Sequence, residues 1–123
     1  MSGGNEARLL GRWGESVVAK DLRRRGWQIM NAGFRCRFGE IDLIASDGTY
    51  LAFIEVKLRK NANFGSAAAF VDARKQAKLR ATAEFYLAKC QTKLQPRFDV
   101  VEVYAPQGIR TQNPQINYIE NAF

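Results

Sequence analysis

The sequence predicts an α/β fold, a mixed β-sheet flanked by helices, on three observations. Two β-prone runs meet at an Asp-Gly pair, a long segment with helical spacing follows them, and a nearly continuous apolar strand comes after it. Hydrophobic residues at 46% and charged residues at 25% are ordinary globular proportions, and 123 residues suit one domain with a modest core.

Residues 1–5 are small and polar and read as a flexible tail ahead of a single domain over 6–123. From Glu6 to Arg25, Leu10, Trp13, Gly14, Val17 and Val18 recur at three- and four-residue spacing, which predicts a helix. Arg23, Arg24 and Arg25 complement its dipole, and Gly26 ends it. Trp27–Arg35 follows as a strand. Glu40–Ser46 and Thr49–Arg59 form a hairpin, because Gly48 accepts positive φ and Asp47 tolerates it in a two-residue turn. Lys60–Gly65 is a polar loop, and Ser66 is placed to cap a helix from Ala67 to Lys89. Phe70, Ala73, Ala77, Ala81 and Ala88 make one stripe of that helix, small enough to approach a sheet closely; Leu79, Ala83, Tyr86 and Leu87 make another. Pro96 closes the next loop, Phe98–Tyr104 reads as a strand inside the sheet, and Ile116–Ile119 as a last short one. Trp13 and Trp27 read as core anchors.

The chain has no histidine, which excludes a Ser-His-Asp or Cys-His nucleophile, an imidazole base and a histidine-ligated zinc or haem. Its 19 Lys and Arg against 12 Asp and Glu leave +7, a balance that points to an anionic partner, nucleic acid first. Cys36 and Cys90 are too few and too isolated for a disulfide scaffold or thiolate cage. Neither a signal peptide nor an apolar run of membrane-spanning length is visible, so a cytoplasmic protein without membrane partners is expected.

Pairing outward from the Asp47-Gly48 turn sets Ser46 against Thr49, Ile44 against Leu51 and Asp42 against Phe53. Glu40, Asp42 and Ile44 then share a face with Leu51, Phe53, Glu55, Lys57 and Arg59, opposite Ile41, Leu43, Ala52, Ile54, Val56 and Leu58. Asp42 and Glu55 become diagonal neighbours with backbones roughly 7–8 Å apart. Clustered carboxylates at the end of a buried face repel one another unless a cation joins them, and Mg²⁺ suits oxygen ligands when phosphate is the substrate. Lys57 would hold the attacking water or stabilise charge on that phosphate. The alternative is a solvated strand end with charges there by chance.

Asp42 followed by Glu55-x-Lys57 on the next strand resembles the PD-(D/E)xK nuclease-like superfamily. Gly39-Glu40-Ile41-Asp42-Leu43-Ile44-Ala45 and Phe53-Ile54-Glu55-Val56-Lys57-Leu58-Arg59 are similar to one branch, the YraN-type family of small, uncharacterised bacterial proteins. Gly14-Glu15, Phe64-Gly65, Lys75-Gln76-x-Lys78-Leu79, Arg97-Phe98-Asp99-Val100-Val101 and Asn121-Ala122-Phe123 extend the likeness over nearly the whole chain. Ile41 stands where the superfamily's name has proline.

The resemblance implies a three-layer αβα restriction-endonuclease-like core with a mixed sheet of about five strands, akin to Holliday-junction resolvases. It implies Asp42 and Glu55 as ligands of Mg²⁺ or Mn²⁺, Lys57 as the catalytic lysine and Glu15 as an additional catalytic acid. Glu40 is left between ligand and hairpin-edge charge, and Gln76 as a polar neighbour of the site. Arg35, Arg37, Arg59, Lys60, Arg74, Lys75 and Lys78 are the expected phosphate contacts, with Arg80 a further candidate and Phe38, Phe64 and Tyr50 available for stacking. Asp99 is expected to hold a backbone or arginine partner rather than a catalytic role. The activity implied is phosphodiester hydrolysis, on DNA ahead of RNA, in a homodimer as resolvases work on symmetric substrates in pairs. A non-catalytic nucleic-acid-binding module on the same fold is the alternative, and an accessory protein with an acidic protein partner a third.

Overall fold

A computed structural model describes residues 3–61 and 71–123. Helix α1 (Gly3–Arg24) leads into strands β1 (Gln28–Cys36), β2 (Gly39–Ser46) and β3 (Tyr50–Arg59); helix α2 (Ala73–Cys90), β4 (Gln95–Tyr104) and β5 (Gln115–Ile119) complete the chain. The five strands form one sheet in chain order. Only β3 and β4 run parallel, and the connection between them carries α2, as a parallel pair requires.

The helices cover opposite faces. Val18, Ala19 and Leu22 of α1 pack on Leu43, Ala45, Ala52, Ile54, Val101 and Val103. Leu79 and Ala83 of α2 pack on Ile44, Leu51, Phe53, Phe98 and Val100. The result is a three-layer αβα architecture, in which each large aliphatic side chain taken from water contributes about 1.5–3 kcal/mol. Trp13 and Trp27 lean on the α1-side cluster, as expected of core anchors.

Several expectations are corrected. α1 begins at Gly3, so the helix takes in residues assigned to a tail. Ser66, Phe64 and residues 62–70 generally lie outside the described residues. Val71 and Asp72 are not helical; α2 starts at Ala73, with the Asp72 carboxylate accepting from the Lys75 amide at 2.8 Å. Asp72 is the better cap because it sits directly ahead of the turn whose amides lack partners. α2 meets the sheet through Leu79, Thr82 and Ala83, while Ala73, Ala77 and Ala88 are exposed. Burying leucine outweighs the closer approach that alanines would permit. β4 starts at Gln95 and includes Pro96, a tolerable place for proline at a strand's beginning.

The hairpin register is also corrected. Ser46 pairs with Leu51 and Ile44 with Phe53, so four residues rather than two separate the paired strands. The Asp47 carboxylate is the cause, accepting from the amides of Thr49 at 2.9 Å and Tyr50 at 2.8 Å, a side-chain-built turn that holds the loop open. The offset is two residues, an even number, so Asp42 moves from opposite Phe53 to the level of Glu55 without changing the face of either strand. Alternation fails elsewhere: Ile41 and Ile44, three apart, both belong to the α2-side cluster, whereas Leu43 faces α1. Ile41 is therefore not on the side expected for it.

Candidate active site

The ladder between β2 and β3 ends at Leu43 and Ile54. One residue further, the Asp42 side chain takes over the role of a backbone carbonyl, accepting from the Val56 amide at 2.8 Å. That bond fixes the carboxyl group between the two strands at the end of the hairpin. From above, α1 brings Glu15 into hydrogen-bond contact with Asp42. The approach depends on Gly14: a Cβ there would stand 2.8 Å from Leu58 Cδ2, so only glycine lets α1 settle this low on β3 without displacing that leucine.

Glu55 comes from β3 and makes an ion pair with Lys75 of α2 at 3.4 Å. Glu15 of α1 is thus hydrogen-bonded to Asp42 of β2, and Glu55 of β3 acts on both through its charge, with Lys75 beside it. Burial pushes the Asp42 carboxyl up to about 7, and the charges of Glu55 and Glu15 add to it, against the pull of the Val56 amide. Glu15 is raised as well, first by burial and then by Glu40 and Glu55; its bond from Asp42 and the Arg12 guanidinium work the other way.

Lys57 lies two residues beyond Glu55 on the same face of β3, half-buried and without an ion-pair partner among the described residues. Glu40 stays close enough to act electrostatically on Glu15, and its carboxylate binds Arg35 at 3.0 Å. Gln76 donates to the Val71 carbonyl at 2.7 Å, fastening the lead-in to α2. The sequence-derived basic residues disperse. Lys60, Arg74 and Lys78 are exposed, and Arg37 lies over the Phe38 ring at 4.8 Å. Arg59 turns inward to Glu102 at 3.1 Å, Lys75 to Glu55, and Arg80 lies over Phe98 and Phe123. Tyr50 packs under Arg97, and Phe38 meets Phe85 edge-on. Asp99 holds Arg97 at 3.0 Å and the Asn121 amide at 2.9 Å, a structural partnership of the kind expected.

Sequence reading missed a cleft beside the carboxyl groups, about 740 Å³ in volume, between α1 and the β1–β2 edge. Arg8, Arg12 and Arg23 line it together with Glu15 and Glu40. Their spacing of four and eleven residues places them on one helix face, a signal available in the sequence but indistinguishable there from a solvated face.

The architecture and its acids define a small three-layer αβα protein with a hydrogen-bonded carboxyl pair, Asp42 and Glu15, at the open end of a hairpin. The chain matches the model of the uncharacterised protein family UPF0102 over residues 14–103 and belongs to that family, the YraN family. It is 40% identical over 118 residues to a UPF0102 protein of Caldanaerobacter subterraneus subsp. tengcongensis, covering 94% of this chain and 95% of the relative. Two further UPF0102 proteins are similar. That of Clostridium botulinum (strain 657 / Type Ba4) is 39% identical over 93% of each chain. That of Nitrosomonas eutropha is 40% identical over 83% of this chain and 82% of its own. No helix among the described residues is long and apolar enough to cross a membrane.

Proposed function

We propose that this protein hydrolyses phosphodiester bonds of nucleic acid, DNA ahead of RNA, with Mg²⁺ or Mn²⁺ as cofactor. The supporting observation is the half-buried Asp42 carboxyl between Glu15 and Glu55, pushed up to about 7 first by desolvation and then by the charges of those two acids. A divalent cation would relieve the repulsion between them. The donor set is hard oxygen, as such an ion prefers. Among the described residues no three acidic side chains close on one point as a finished cage. That suits Mg²⁺, which takes one or two carboxylates and completes its shell with water and substrate phosphate. Asp42 and Glu55 would hold the ion, which when bound polarises the phosphate and lowers the pKa of water.

The other residues have roles set by position. Lys57, half-buried two residues beyond Glu55 and without an ion-pair partner among the described residues, stabilises negative charge developing on the phosphate. Glu15 keeps Asp42 oriented through their hydrogen bond. Lys75 offsets the charge of Glu55. This ion pair also favours a second reading, a non-catalytic nucleic-acid-binding module, since a lysine already neutralises one of the acids.

Incubating the protein with branched, single-stranded and duplex DNA and with RNA, in Mg²⁺ or Mn²⁺, separates the two. Cleavage is expected, reduced at least about 100-fold by Asp42→Asn and by Lys57→Ala. If the wild type cuts none of these substrates, or Asp42→Asn cuts as well as wild type, the hydrolase reading is lost. Binding that persists in EDTA without cleavage is the outcome the second reading requires.

A further inference from the structure

We propose that the cleft between α1 and the β1–β2 edge holds the sugar-phosphate backbone of a single nucleic-acid strand and leads it to Asp42. The inference rests on the phosphodiester reading of the Asp42 site and says from which side, and in what form, the substrate arrives.

The cleft measures about 740 Å³ and opens along α1. Arg8, Arg12 and Arg23 line it from the helix, and all three are exposed and have no ion-pair partner among the described residues. Their neighbours on the same helix show that this is not a general property of its arginines. Arg24 and Arg25 are bound to Asp21, and across the cleft Arg35 is bound to Glu40. At 1.5 Å per residue, Arg8 and Arg23 are about 22 Å apart along the axis, a row long enough to meet several successive phosphates.

Three features give the ligand its form. First, the arginines look into a cleft whose other wall includes Ile29, Ala32 and Gly33. A duplex receives a helix in a major groove about 12 Å wide, and that requires the reading face of the helix to stand clear. Here the sheet edge stands opposite it, leaving room for one strand. Second, no aromatic side chain among the described residues lines the cleft, so the contacts are to phosphate and sugar and not to stacked bases. The binding is accordingly insensitive to sequence. Third, Glu15 and Glu40 mark one stretch of the wall, and Glu15 is the residue hydrogen-bonded to Asp42. A strand held by the arginines on either side is repelled at that one stretch unless a cation intervenes, which places the bond to be cut beside the acids.

The test is fluorescence anisotropy in EDTA, which reads binding whether or not the protein cleaves. The probes are labelled 20-mers of single-stranded DNA, the RNA of the same sequence, and the DNA duplex. Single strands are expected to bind more tightly than duplex, with the DNA and RNA arms showing which sugar is preferred. Arg8→Ala/Arg12→Ala should weaken single-strand binding roughly tenfold at moderate salt and flatten the plot of log affinity against log salt by about 1.4. Lys89→Ala/Lys93→Ala, exposed positions at and just beyond the end of α2, should change it less than twofold. Arg8→Ala alone provides a second readout at the far end of the row, and thermal melting verifies folding. Unchanged affinity in the α1 variants, tighter binding to duplex, or no binding by wild type each overturns the proposal. Cleavage that survives with unchanged binding in those variants condemns the cleft but spares the Asp42 site. Binding lost in them without any wild-type cleavage does the reverse.

Discussion

Asp42 on β2 is a half-buried acid and Glu102 on β4 a fully buried one, and the molecule treats them in opposite ways. Glu102 is fully buried, and its two oxygens are met by Arg59 at 3.1 Å and Asn117 at 2.9 Å. Asp99, three residues earlier on the same strand, has Arg97 and the Asn121 amide. Asp42 has one backbone amide and is otherwise faced by Glu15 and Glu55. Compensated buried acids fasten a fold, since desolvation is offset by a counter-ion and hydrogen bonds. An acid buried against its own kind stores repulsion that a cation can release. The difference lies in the partners, because both acids sit on strands of the same sheet.

The largest test of the contrast is Glu102→Ala. It leaves Arg59 and Asn117 without the carboxylate they hold, and urea unfolding should show a loss of about 3 kcal/mol. A loss below about 1 kcal/mol would mean that β4 does not depend on this pairing. Asp42→Asn should act with the opposite sign. The folded-state pKa of Asp42, about 7, lies above the ordinary 3.8, so the folded protein binds the proton more tightly and loses stability as pH rises between those values. Asparagine keeps an acceptor for the Val56 amide and removes the charge. The variant should therefore be close to wild type near pH 4 and more stable than it at pH 8, with no cation added. A variant less stable than wild type at pH 8 would show that the three acids are not in conflict.

The smallest effect belongs to another buried acid, Asp21. Burial alone would raise its pKa, but the Tyr118 hydroxyl, donating at 2.6 Å, and Arg24 and Arg25 bring it below its ordinary value. Such a group stabilises the fold above pH 3.8 and ceases to do so as pH falls through the folded-state value. Tyr118→Phe should cost about 1 kcal/mol at pH 7, with the difference from wild type shrinking on acidification. A constant difference between pH 7 and pH 2 would assign the loss to packing of the ring and not to its hydroxyl.

Much of the candidate site was legible because a strand has a period of two. Asp42, Glu55 and Lys57 could be placed at the open end of the hairpin from the Asp47-Gly48 turn and the alternation of its arms. The predicted register was two residues out, since Asp47 binds two amides and lengthens the turn. An even error preserves faces, so the cluster survived it, whereas an odd one would have scattered it. The start of α2 was misplaced for a comparable local reason: Ser66 and Asp72 are both capable caps, and only the described helix shows Asp72 performing that function. Its buried face was misread because alanine spacing indicates where a helix can approach closely, not which side is driven inward.

The sequence by itself determined what depends on neighbours along the chain. These are the two helices, the five strands, the missing imidazole and the spacing that sets an acid and an acid-lysine pair on adjoining strands. Tertiary structure alone decided what depends on packing between distant segments. Gly14 lowers α1 onto Leu58 and so delivers Glu15 to Asp42, α2 delivers Lys75 to Glu55, and Arg59 is drawn into the sheet by Glu102. A side chain's charge is written in its residue type, but whether that charge meets water, a counter-ion or another acid is fixed by burial.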